Sequence, residues 1–189
     1  MRQKILYVNA CFREGSRTAD LVRLMKERLF GEGEVTEVSL GDMDLKPMDR
    51  QMLKVYNESA ASHVFEDPMF TYARQFREAD RVVIAAPFWN YDLPAVLHTY
   101  LELVCTQGIT FDIDEKGVYG SLCRAEKLTF VTTAGGFIPE GDPASSYLKT
   151  LCSVFFDIPE FEYIKAEGLD IWGADVQKAL EEAAGKGEE

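Results

Sequence analysis

Histidine is almost missing from this chain: only His63 and His98 occur among 189 residues, and their neighbourhoods lack the two-histidine spacing of a metal site. The four cysteines, Cys11, Cys105, Cys123 and Cys152, include no C-x-x-C pair, which argues against a zinc site and a small disulfide framework alike. No metal is expected, and reduced thiols in a cytoplasmic protein are the plain expectation. No apolar run approaches the roughly 20 residues of a membrane span. The start, MRQKILYVNACF, carries an apolar run only a strand long, without the longer stretch of a signal peptide. Positive charge is scarce too. With 20 Lys and Arg against 32 Asp and Glu the net charge is −12, which argues against a broad nucleic-acid or anionic-membrane surface.

Several chemical signatures are absent as well. There is no G-x-x-x-x-G-K-[ST], so a P-loop is excluded, and no G-x-G-x-x-G follows the first strand, so a Rossmann dinucleotide cradle is not expected. Asp112-Ile113-Asp114 begins like a calcium loop, but Lys116 falls at its fifth position and Cys123 at its twelfth, where a bidentate Glu is required. No Ser-His-Asp or Cys-His arrangement can be assembled, and no catalytic side chain is nominated.

What is present is ordinary globular composition, 47% hydrophobic and 28% charged, at a length that suits a single α/β domain over residues 1–189. Ile5 to Val8 read as a buried strand. A helix follows with Leu21, Val22, Met25 and Leu29 on one face, capped by Ser16 or Thr18 and ended by Gly31 and Gly33. Val35, Val38 and Leu40 suggest a second strand. The pattern is poor from Gly41 to Pro68, with a possible helix from Met52 to Ala61, and helical again from Met69 to Ala79. Arg81 to Ala86 form the clearest strand, apolar without alternation after Arg81, as in a strand buried on both faces. Pro94 opens a helix expected to run to Gln107 and stop at Gly108. Asp112 to Cys123 suggest a hairpin, Leu128 to Thr132 a strand, Ala144 to Phe156 a helix, Phe161 to Ala166 a strand and Ala174 to Ala184 a last helix. The tail from Gly185 to Glu189 is expected to fray.

Five strands alternating with helices imply a parallel sheet covered on both faces. Their number suits the order 2-1-3-4-5, in which ligands bind at the carboxyl ends around the switch point. The loops after strands one, three and four should therefore carry the chemistry. Loop one, Asn9 to Thr18, leads into a helix start whose free amides and dipole attract an anion. Ser16 and Thr18 add hydroxyls, Gly15 permits close approach, and Arg13 or Arg17 can offset phosphate charge. A polar strand-to-helix turn with a capping hydroxyl would look the same. Loop two, Pro87-Phe88-Trp89-Asn90-Tyr91-Asp92-Leu93-Pro94, holds three aromatic rings in four residues, as a flat, partly apolar ligand would require. A plug at a sheet edge or a subunit interface is the alternative. Loop three, Thr132-Thr133-Ala134-Gly135-Gly136-Phe137, offers paired glycines that permit positive φ and backbone approach to a ligand edge, or simply a tight turn.

Ala86-Pro87-Phe88-Trp89-Asn90-Tyr91, Leu93 to Leu97, Tyr100-Leu101 and Gly108-Ile109-Thr110-Phe111 together resemble the FMN-dependent azoreductase and NAD(P)H:quinone oxidoreductase family. The resemblance implies a flavodoxin-like α/β fold, a homodimer, FMN as cofactor, NADH or NADPH as donor, and quinones or azo compounds as acceptors. It implies that Arg13, Ser16, Arg17 and Thr18 surround the FMN phosphate. Pro87, Phe88, Trp89, Asn90 and Tyr91 would line the ring and ribityl chain, with Thr133, Ala134, Gly135 and Gly136 on the other side. Cys11 falls where such proteins often carry Ser and replaces a strong hydroxyl donor with a weak one. Two rivals follow: an FMN electron carrier, and a module of this fold that has lost its flavin.

Overall fold

A computed structural model describes residues 2–185. Lys4–Asn9 forms β1, Arg17–Leu24 α1, Lys26–Phe30 α2 and Glu34–Ser39 β2. Arg50–Ser62 is α3, Thr71–Glu78 α4, Arg81–Ala85 β3 and Ala95–Val104 α5. The hairpin β4 (Phe111–Ile113) and β5 (Tyr119–Ser121) precedes β6 (Lys127–Thr133), α6 (Pro143–Leu151), β7 (Glu160–Ala166) and α7 (Val176–Ala183). Strands β2-β1-β3-β6-β7 make one parallel sheet. With the antiparallel hairpin set apart, this is the expected 2-1-3-4-5 order.

Alternation along the strands builds two apolar layers. Leu6, Val8, Val82, Ile84, Leu128 and Phe130 face one way, onto Phe76 of α4, Leu97, Tyr100 and Leu101 of α5, and Leu148 of α6. Ile5, Tyr7, Val83, Ala85, Val131 and Ile164 face the other, onto Leu21 and Val22 of α1, Leu29 of α2 and Leu180 of α7. Both faces of β3 are thus covered, which is why its sequence shows no polar alternation. Edge strand β2 is exposed except for Val38 and half-buried Ser39.

Most helix ends shift by a residue or two from their sequence-based bounds, and three helices depart in a way that has a structural account. The first splits at Met25 (φ −100°, ψ 8°), whose amide donates to both Leu21 and Val22 carbonyls; Met25 and Leu29 stay buried through the step. The fifth ends at Val104, not Gln107, because the Thr110 hydroxyl donates to the Val104 carbonyl at 2.8 Å and so takes over its acceptor. Gly108, at φ +84°, belongs to the following turn. The sixth is α-helical only to Leu151, and Cys152–Phe156 continue as a π-helical turn that Asp157 ends in the left-handed region (φ 47°).

The featureless stretch after Gly41 holds α3, capped by Asp49, whose Oδ1 accepts from the amides of Gln51 and Met52 at 2.8 Å. No residue of α3 is fully buried. The would-be calcium residues form a hairpin turn, with Asp114 Oδ1 accepting from the amides of Lys116 and Val118. Of the expected frayed tail, Lys186 to Glu189 lie outside the described residues. Among the described residues no helix is long and apolar enough to cross a membrane.

Candidate functional site

At the carboxyl ends of the parallel strands, a cleft of about 390 Å³ is lined by loops one, two and three and by Leu169 and Asp170 after β7. That volume lies within the roughly 300–1,000 Å³ of small-molecule sites. Cys11, Arg13, Ser16, Arg17 and Thr18 line it from loop one, Pro87, Phe88, Trp89 and Asn90 from loop two, and Thr133, Ala134 and Gly135 from loop three. Tyr91 and Gly136 sit beside it, in an adjoining depression shared with Phe88, Asn90, Ala134, Gly135 and Phe137. The residues singled out in the sequence are therefore brought together at one place.

Loop one turns through Gly15 at φ +68°. Ser16 then caps α1, its hydroxyl oxygen accepting from the Ala19 amide at 3.3 Å. The amides of Arg17 and Thr18 ahead of it have no intrahelical carbonyl to reach, the kind of donor an anion meets at a helix start. Thr18 is fully buried, and its hydroxyl shares a hydrogen with that of Thr133 at 2.6 Å. It clamps loop one to loop three from beneath the cleft. The Cys11 thiol donates to the Ala85 carbonyl at 3.5 Å, and burial pushes its pKa up to about 12. A neutral thiol therefore sits here at ordinary pH, with no charge to repel an anion.

Loop two is a tight turn. The amides and carbonyls of Trp89 and Asp92 bond to each other at 3.0 and 2.9 Å, with Asn90 (φ 52°) and Tyr91 (φ 64°) between them. Positive φ at both central positions is the primed turn that suits Asn and Gly; a tyrosine there is strained, of order 1 kcal/mol or more. Its base is tied down by the Phe88 amide on the Thr133 carbonyl at 3.0 Å. Trp89 meets Phe12 edge-on at 5.8 Å, and Phe88 meets Tyr91 likewise at 6.0 Å. His98, on α5, holds the turn from outside, with Nε2 3.4 Å from Asp92 Oδ1.

Loop three corrects one expectation. Neither Gly135 nor Gly136 is among the glycines at positive φ. Gly135 bears on the site in a different way: a β-carbon there would overlap the Asp170 carboxylate where it now lies. Asp170 Oδ1 is in turn 2.6 Å from Arg17 Nη1. The loop after the last strand is thus a fourth wall of the cleft, at the same carboxyl edge as the three loops expected there. Phe12, within loop one, lines the cleft as well, and no phosphate or ring chemistry in the sequence singles it out. Among the described residues no cluster of His, Cys, Asp and Glu could hold a metal ion.

A family model described as a flavodoxin-like fold matches residues 3–189. The FMN-dependent NADH:quinone oxidoreductase 2 of Clostridium acetobutylicum is 42% identical over 123 residues, covering 62% of this chain and 60% of that protein. The FMN-dependent NADH:quinone oxidoreductase of Coprothermobacter proteolyticus is 31% identical over 195 residues, 98% of this chain and 96% of its own length. Among solved structures, an azoreductase from Bacillus anthracis superimposes with a TM-score of 0.79 at 24% identity, covering 97% of both chains. At that identity the superposition speaks to the fold.

Proposed function

Because the chain belongs to the flavodoxin-like fold family, we propose that it acts as a single domain that binds FMN and passes electrons from NADH or NADPH to quinones or related small acceptors, azo compounds among them. The observation that carries this is the convergence of an anion seat and an aromatic turn on one open cleft. The relatives' names supply the substrate class.

The donor set fits FMN. At one end stand Arg13, Arg17, Ser16 and the first amides of α1, suited to a phosphate. At the other, Phe88, Trp89, Asn90 and Tyr91 stand with Thr133, Ala134, Gly135 and Gly136 along the cleft and its adjoining depression, suited to a flat ring with polar edges. When bound, FMN supplies hydride acceptance and electron delivery, chemistry that belongs to the cofactor. The chain's own residues bind and orient it. Arg13 and Arg17 counter the phosphate charge, the strained Asn90-Tyr91 turn fixes the rings of loop two, and the Thr18–Thr133 bond keeps the opposed loops in register. The open mouth lets donor and acceptor use one face in turn, a ping-pong exchange.

Exposed Tyr91 (67%) and Phe137 (70%) share the depression beside the cleft, and an apolar rim of this kind favours a homodimer. Four free thiols accord with a cytoplasmic setting. The test is multiple-turnover oxidation of NADH and NADPH with menadione as acceptor. Parallel double-reciprocal lines are expected. Retained flavin with negligible turnover would instead make the protein an electron carrier.

A further inference from the structure

We propose that Asp170 sets how tightly this cleft holds a phosphate terminus, acting as an internal anion that occupies Arg17 until a phosphate displaces it. The inference rests on the FMN site proposed above. Arg17 is one of two arginines lining the cleft, and it stands at the first position of α1, where an incoming anion would meet the helix amides. In the structure its guanidinium is already engaged by Asp170 Oδ1 at 2.6 Å.

That engagement is built into the backbone. After β7 the chain keeps pairing with loop three: the amides of Gly168, Leu169 and Asp170 donate to the carbonyls of Gly136, Ala134 and Gly135 at 2.8, 3.2 and 2.9 Å. Leu169 is buried and anchors the segment. The ladder sets the Asp170 side chain beside Gly135, whose missing β-carbon leaves room for the carboxylate where it lies. A carboxylate held there repels a phosphate dianion and withdraws one of its counter-charges. The ion pair is partly solvated, with side chains 31% and 68% exposed, so its competition is modest and can be overcome by ligand. A ligand without phosphate has no claim on Arg17 and is indifferent to Asp170. The residue therefore tunes the preference for FMN over riboflavin, and it does so downward.

The test is titration of FMN and of riboflavin, followed by flavin fluorescence, into the wild-type protein, Asp170→Asn and Asp170→Ala. Both variants should bind FMN about fivefold more tightly, the scale of one partly exposed ion pair, and riboflavin unchanged, with the FMN gain shrinking as salt is raised. Thermal melting of each variant confirms that it is folded. Wild-type binding of FMN with unchanged or weaker binding in both variants would overturn the proposal, making Asp170 a support for Arg17, while leaving the flavin site intact. Failure of all three proteins to bind either flavin would overturn the flavin site and the proposal with it.

Discussion

Asn90 and Tyr91 both occupy left-handed backbone, a conformation that β-branched residues resist strongly. Asn90→Val should therefore destabilise the fold by about 1–3 kcal/mol and sharply weaken FMN retention, whereas Asn90→Gly should keep the turn. Urea denaturation and flavin titration of the two variants check this, and equal behaviour would remove the turn from the account. Cys11 offers a second prediction. Its thiol is half-buried, neutral and a weak donor, so Cys11→Ser should tighten FMN binding by roughly the worth of one added hydrogen bond, about 0.5–1.5 kcal/mol, read from the same titration. At this scale the sequence was informative about residue types and poor about reasons. The Gly-Gly pair suggests conformational freedom, but Gly135 has no positive φ and instead lies against a carboxylate thirty-five positions further on. That pairing is long-range and leaves no local trace.

The elements that position the cleft are held by caps and by the parallel ladder. Asp142 is almost fully buried. Its Oδ1 accepts from the Ser145 amide at 2.8 Å and its Oδ2 from the Ser145 hydroxyl at 2.6 Å. Asp142→Ala should cost about 1–2 kcal/mol through the lost cap of α6, read as a lower urea midpoint with an unchanged slope. Strands were legible because β-branched and apolar runs survive any register. Helix ends were not. The fifth helix closes early because Thr110 reaches back to the Val104 carbonyl, and the sixth turns π-helical where Phe155 and Phe156 must meet Phe111 and Phe76, at 4.5 Å in each case. Both endings are decided by tertiary contacts, which periodicity does not encode. Strand order followed from topology rules alone, and with it the location of three of the four cleft walls.

For the whole molecule, burial leaves a titration signature. The thiols of Cys11, Cys105, Cys123 and Cys152 are all pushed from 9.0 up to about 12 by burial. A raised pKa means that the folded chain holds these protons more tightly than the unfolded chain. Stability is therefore independent of them below pH 9 and falls progressively between pH 9 and 12. Urea midpoints should be level up to pH 8 and drop from pH 9 upward; level midpoints to pH 11 would contradict the burial of these groups. The acidic excess of the surface says little about function, but it makes the two cleft arginines the local exception on which the proposed phosphate binding depends. The most direct test of the central claim is the visible spectrum of the protein after incubation with FMN and gel filtration, followed anaerobically as NADH and then menadione are added. The account predicts a retained flavin band that bleaches with NADH and returns with menadione. A colourless protein, or a band that NADH and NADPH both leave unchanged, would contradict it.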